Sequence, residues 1–223
     1  MASASGGLSD LEKDALAELG NIGAGNATTA LSQMLGDRMV RMTSPRVAVV
    51  RLAELSDWVG PPDSPVAAVY MRVGGGLTGY VALLAPEASA SAILKTILRY
   101  GHEQVPGLAT GSTPLSERNP ADLEASALME IGNIVITSYL NAMSEMTGLT
   151  LVPSVPAVAA DMLEAVLASI LAEIQTGDDN VLAIQTHFEG EGASLDGQLI
   201  FVPGEGQLAR LFVALGMTGE EPA

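Results

Sequence analysis

Two stretches decide how this chain is read. They are ELGNIGAGNATTALSQMLG, residues Glu18 to Gly36, and EIGNIVITSYLNAMSEMTG, residues Glu130 to Gly148. Each carries an acid and, three residues on, an amide. With Glu18 set on Glu130 the offset is 112 residues. Leu11 then meets Leu123, Glu12 meets Glu124, Ala15 meets Ala127 and Leu16 meets Leu128. The agreement runs on through Gly20/Gly132, Asn21/Asn133, Ile22/Ile134, Ala30/Ala142, Ser32/Ser144, Met34/Met146 and Gly36/Gly148. A period of about half the chain means two copies of one unit rather than a solenoid.

Working outward, each copy shows the same order of elements. The first begins with SDLEKDALAELGN, where Ser9 and Glu12 make a capping box and Leu11, Ala15, Leu19 and Ile22 predict the apolar stripe. In the second, Asn119 and Pro120 suit a cap and a first helical position. Gly36 and Gly148 are placed to end the two helices. Strand-like runs follow, MVRMTSPRVAVVRL and LTLVPSVPAVA, and then a hairpin in each copy. The first hairpin is expected to turn around Gly74 to Gly76 and the second around Gly190 to Gly197. A helix closes each copy, near Glu87 to Tyr100 and Glu205 to Gly216.

The repeats therefore span about 8–100 and about 119–217, joined by a Gly/Pro/Ser/Thr-rich linker at about 101–118, within one domain covering 1–223. The second copy carries an extra amphipathic helix, Asp161 to Gln175, where the first has only AELSDWVGPP. Strands joined by tight turns and flanked by helices predict an α+β fold, internally duplicated and pseudo-twofold symmetric, with a largely antiparallel sheet. The two half-sheets are expected to join across the pseudo-axis.

Composition narrows the function. Hydrophobic residues make up 48% and charged ones 16%, enough apolar mass for a core and too little charge for disorder. With no cysteine, thiol catalysis, disulfides and cysteine-ligated metals are excluded. A net charge of −16 argues against nucleic acid and anionic membranes, which both need a basic footprint. It suits either a high-salt cytoplasm or a coding bias, since lysine occurs only at Lys13 and Lys95. Neither a signal-peptide pattern nor an apolar run of membrane-spanning length is present, so a cytoplasmic protein is expected.

Asp14, Glu18 and Asn21 in the first copy, and Ser126, Glu130 and Asn133 in the second, have the spacing i, i+4, i+7. At about 100° per residue these positions fall within roughly 60° of arc, on one helix face. A polar strip is ordinarily just a solvated surface. Solvated positions, however, have no reason to keep the same acid and amide twice, and asparagine and glycine are poor helix formers. Local propensity is given up at the same place in both copies, which is where function is expected.

The glycines of GNIGAGN do not make a phosphate-cradling loop. No strand precedes them, no lysine follows, and the second copy lacks Gly23 and Gly25, so close helix packing is their expected role. The histidines, His102 and His187, read as ordinary residues of a linker and a strand, and no Ser/His/Asp set or metal cluster is visible. An acid and an amide alone make an incomplete active site. They can complete one that exists on a partner, the amide orienting water and the carboxylate pairing with a lysine. Phosphoryl hydrolysis suits such help, because it depends largely on positioning and charge stabilisation.

DALAELGNIGAGNATTALSQMLG and SALMEIGNIVITSYLNAMSEMTGLTLVPSVPAVA closely resemble the two signature segments of the CheC family of chemotaxis phosphatases. The family pattern is Asp or Ser, three residues, Glu, two residues, Asn, then a proline a little over twenty residues later. Asp14, Glu18, Asn21 and Pro45 match the first, and Ser126, Glu130, Asn133 and Pro156 the second, with Pro45 one residue later in its copy. The resemblance implies hydrolysis of the aspartyl phosphate of a CheY-type response regulator. Asn21 and Asn133 would position the attacking water, and Glu18 and Glu130 would hold the regulator by its active-site lysine. Magnesium would be supplied by the regulator, with no cofactor or metal of this chain's own. Some relatives bind the deamidase CheD, a contact expected on the inserted helix, at Asp161. The rival expectation is an adaptor or switch module, as in the CheC-like domains of FliM and FliY.

Overall fold

A computed structural model describes residues 8–34, 39–101, 123–172, 180–190 and 193–217. The duplicated stretches form two long helices, α1 (Asp10–Met34) and α4 (Leu123–Thr147), each of 25 residues. The capping box forms as expected: Ser9 N–H donates to Glu12 Oε2 at 2.6 Å, and Glu12 N–H donates to Ser9 Oγ at 3.3 Å. At the far end of α4, Gly148 takes the left-handed conformation, φ +68°, and its N–H donates to the Ser144 carbonyl at 2.9 Å. The expected cap at Asn119 and Pro120 and the stop at Gly36 lie outside the described residues.

The expected stripe on α1 holds at Leu19, which is buried, and at Ile22, which packs against the core, and is corrected at Leu11. Leu11 is 67% exposed, and the buried line runs through Leu16, Leu19, Gly20, Gly23, Ala24, Ala27 and Leu31. The helix is covered on two sides, by the sheet and by α4, so its small residues carry the closest contacts. A hydropathy stripe gives such residues little weight.

Among the described residues, eight strands join one antiparallel sheet. The first copy supplies β1 (Arg41–Met42), β2 (Arg46–Arg51), β3 (Pro65–Gly75) and β4 (Gly79–Pro86). The second supplies β5 (Leu151–Pro153), β6 (Ala157–Met162), β7 (Asn180–Gly190) and β8 (Ala193–Pro203). The order is β1-β7-β8-β4-β3-β5, with β2 also on β7 and β6 also on β3. The two halves meet where β4 pairs with β8, Leu83 opposite Leu199. The edges are exchanged. β1 and β2 pair with the second copy's hairpin, and β5 and β6 with the first copy's.

The second hairpin is tighter than its glycines suggest. Gly197 lies inside β8 opposite Thr186, and the pairing of β7 with β8 runs out to Gly190 opposite Ala193. Gly197 serves packing instead: an added Cβ would stand 3.1 Å from Leu83 Cδ1 on the neighbouring strand.

Strand alternation builds two cores. On one face Val69, Val81, Leu83, Leu199 and Phe201 pack under α1 and α4 with α3 (Glu87–Gly101) and α6 (Gln207–Ala214). On the other, Ala68, Leu84 and Ile200 pack against Leu55 of α2 (Leu55–Val59) and Leu163, Val166 and Ile170 of α5 (Leu163–Ala172). The extra helix thus lengthens an element the first copy also has. Asp161 belongs to β6, opposite Val66, rather than to the helix, and residues 173–175 lie outside the described residues. The short copy, α2, gives way at Gly60, Pro61 and Pro62, where a helix cannot continue.

Candidate functional site

Both motif helices lie on the sheet through a glycine set between the acid and the amide. At Gly20 an added Cβ would stand 2.7 Å from Val47 Cγ2 and 3.0 Å from Pro45 Cγ. At Gly132 it would stand 2.3 to 2.5 Å from three carbons of Val69. Contacts this short mean that a side chain at either glycine would force its neighbours to shift, so the helix backbone packs directly on the side chains of the sheet. Leu19 and Ile131, one residue earlier, are buried to within 1% of complete coverage. The positions on either side of each buried pair must then turn outward.

They do. Asp14, Glu18 and Asn21 are exposed on α1; Ser126 and Glu130 are exposed on α4, and Asn133 is half-buried. Pro45 is half-buried, its Cγ 3.0 Å from where a Cβ on Gly20 would stand, so it packs under the buried side of α1. Pro156 is half-buried in the connection between β5 and β6, strands that α4 lies against. The Asn133 carboxamide has a partner: Thr137 Oγ1 donates to its Oδ1 at 3.4 Å. Asp161 is exposed, and its carboxylate accepts the Met162 N–H at 2.7 Å. It lies on β6, which pairs with β3.

The glycines absent from the second copy divide. Gly23 faces the Tyr139 ring of α4, where a Cβ would stand 2.3 Å from Cδ1, so it permits the close α1–α4 approach expected of it. Gly25 does not, since an added Cβ there would meet nothing within 4 Å. Beneath the helices, burial pushes the Tyr139 phenol up to about 12, with nearby Thr186 offsetting a little of that. Neither hydroxyl makes a hydrogen bond of standard geometry.

His102 lies outside the described residues, whereas His187 is better connected than a lone strand histidine. Its Nδ1 pairs with Asp196 and its Nε2 with Glu189 at 3.2 Å. The Asp196 hydrogen bond, helped by Glu189, holds the imidazole above its usual 6.5. This pair borders a cavity of about 460 Å³ lined also by Thr43, Ser44, Arg46 and Gln198. Among the described residues no group of three or more His, Asp or Glu could hold a metal, and no helix is long and apolar enough to cross a membrane. The close seating of Gly20 and Gly132 on the sheet is not evident from a single motif; its signal is their identity in both copies. The Thr137–Asn133 hydrogen bond has no signal in the sequence.

The model of the CheC-like family matches residues 11–49 and 123–160. Over 212 residues the chain is 31% identical to the CheY-P phosphatase CheC of Bacillus subtilis, covering 94% of this chain and 96% of that one. The chain belongs to the CheC-like family. Its two matched segments contain all eight motif residues, from Asp14 to Pro45 and from Ser126 to Pro156. Another relative is the flagellar motor switch phosphatase FliY of Bacillus subtilis, 31% identical over 61% of this chain and 32% of that one. Among solved structures, Thermotoga maritima FliY superposes with a TM-score of 0.68 at 21% identity, covering 94% of this chain and 98% of that one. The FliM middle domain from Vibrio alginolyticus reaches 0.56 at 15% identity, covering 85% and 93%. These structural likenesses concern the CheC-like fold: an α+β chain with one antiparallel sheet carrying helices.

Proposed function

We propose that this CheC-like chain is a phosphatase that hydrolyses the aspartyl phosphate of a CheY-type response regulator. The observation that carries this reading is the outward display of the same acid and amide on two helices, each seated on the sheet by the glycine between them. The relative of similar length being a CheY-P phosphatase supports it.

In this reading Glu18 and Glu130 pair with a lysine beside the regulator's phosphoryl group, and Asn21 and Asn133 hold water in line with the phosphorus–oxygen bond. Hydrolysis by positioning asks for no covalent bond to this chain. Asp14 and Ser126 extend each face by one turn, and Pro45 and Pro156 shape the connection alongside. The regulator supplies magnesium. The two copies act within one domain, in the cytoplasm, and CheD would be met on the outer side of the sheet, where Asp161 precedes α5.

Mixing the protein with phosphorylated CheY-type regulator and magnesium, and following phosphate release, tests this. Release should quicken by at least tenfold over the regulator alone. An adaptor would bind the regulator and leave its rate unchanged.

A further inference from the structure

The two motif helices differ one turn past the amide. On α4 the Thr137 hydroxyl donates to Asn133 Oδ1; the aligned residue on α1 is Gly25. Space is not the reason, because a Cβ at Gly25 would touch nothing within 4 Å. Nor is the Thr137 bond what a helical hydroxyl makes by default. Thr28, Thr29, Ser138, Thr147 and Ser169 each donate to the main-chain carbonyl four residues earlier, the usual back-bond. Thr137 turns instead to a side chain four residues earlier, and that side chain is a motif amide.

We propose that Thr137 is a positioning residue of the second site, holding the Asn133 carboxamide by its oxygen so that the amide meets acyl phosphate and water in one orientation. The proposal rests on the phosphatase reading. The terminal torsion of asparagine is broad and roughly two-fold, so an unrestrained amide must be oriented afresh at each encounter. Pinning one end leaves the Nδ2 hydrogens and the second lone pair of Oδ1 free to face the substrate. A separation of 3.4 Å is long for this bond; catalytic hydrogen bonds in unliganded sites are often long and shorten on substrate binding. Asn21, exposed and without this restraint, makes the first site the looser of the two.

Single-site proteins separate the effects. Asn21→Ala leaves the second site working, and Asn133→Ala the first. Within Asn21→Ala, Thr137→Val should lower kcat for phosphate release about fivefold, the worth of one neutral hydrogen bond, with KM nearly unchanged. Thr137→Ser, which keeps the hydroxyl, should restore most of the rate. Within Asn133→Ala, Gly25→Thr should raise kcat by a similar factor. Equal kcat for Thr137→Val and its parent, or a Thr137→Ser protein as slow as the valine variant, would overturn the proposal while leaving the acid–amide reading intact. Undiminished release by the Asn21→Ala/Asn133→Ala protein would overturn both.

Discussion

Helices α1 and α4 match in length and in their acid–x–glycine–amide run and lie on corresponding strands of the two copies, yet the side chains nearest their seating glycines differ. Nearest Gly20 are Pro45, just before β2, and Val47 of β2, both from its own repeat. Gly132 rests on Val69, a residue of the first copy's hairpin. What the duplication has kept is the close approach itself and the pair of side chains it turns outward. What differs is the nearest side chain, Val47 and Pro45 in one case and Val69 in the other. The same division holds between the helices, where Gly23 on α1 is filled by Tyr139 from α4 rather than by another glycine.

The largest expected effect on stability tests those contacts. Gly132→Ala drives a Cβ into the branched Val69 side chain and should destabilise by about 2–3 kcal/mol in chemical denaturation, as overpacking does. Gly20→Ala meets a half-buried Val47 with more room to yield, so about 1–2 kcal/mol is expected. Two values near zero would mean that the glycines do not seat the helices. Ser9→Ala removes the capping box of α1 and should cost about 1 kcal/mol. Gly25→Ala should do the reverse, stabilising by about 0.5–1 kcal/mol, since it adds helix propensity in open space. A loss at both Gly23→Ala and Gly25→Ala would erase the distinction between a packed and an open glycine.

The smallest effect concerns the hairpin of β7 and β8. The folded state raises the His187 pKa, so its ion pairs stabilise fully below about 6.5 and are lost as pH rises through the higher folded value. Wild-type melting temperature should therefore fall somewhat between pH 6 and 8 relative to His187→Ala. Parallel profiles for the two proteins would remove His187 from the account.

Much of this was legible in the sequence. Repetition exposed the duplication, the acid–amide pair and the order of elements, and the Ser9 capping box and Gly148 stop were local enough to read directly. The exchanged edges were not. β2 and β6 carry ordinary strand patterns, and nothing in a strand's own residues names the partner it pairs with across the molecule. Leu11 was misplaced for a related reason: hydropathy rewards an exposed leucine and overlooks buried glycines. Gly197 looked like a turn because its small size answers a neighbour, Leu83, that lies far away in sequence. At the site, duplication marked the residues that face outward, while Thr137 stayed hidden among hydroxyls that ordinarily bond to their own helix.

One measurement bears most directly on the whole account: phosphate release from a phosphorylated CheY-type regulator with magnesium, comparing wild type with Asn21→Ala/Asn133→Ala, while binding of the regulator is followed in parallel. The double variant should still bind and should lose the stimulated release, falling to the regulator's own rate. Release at the wild-type rate by the folded double variant would contradict the claim that this chain works by presenting two amides to another protein's acyl phosphate.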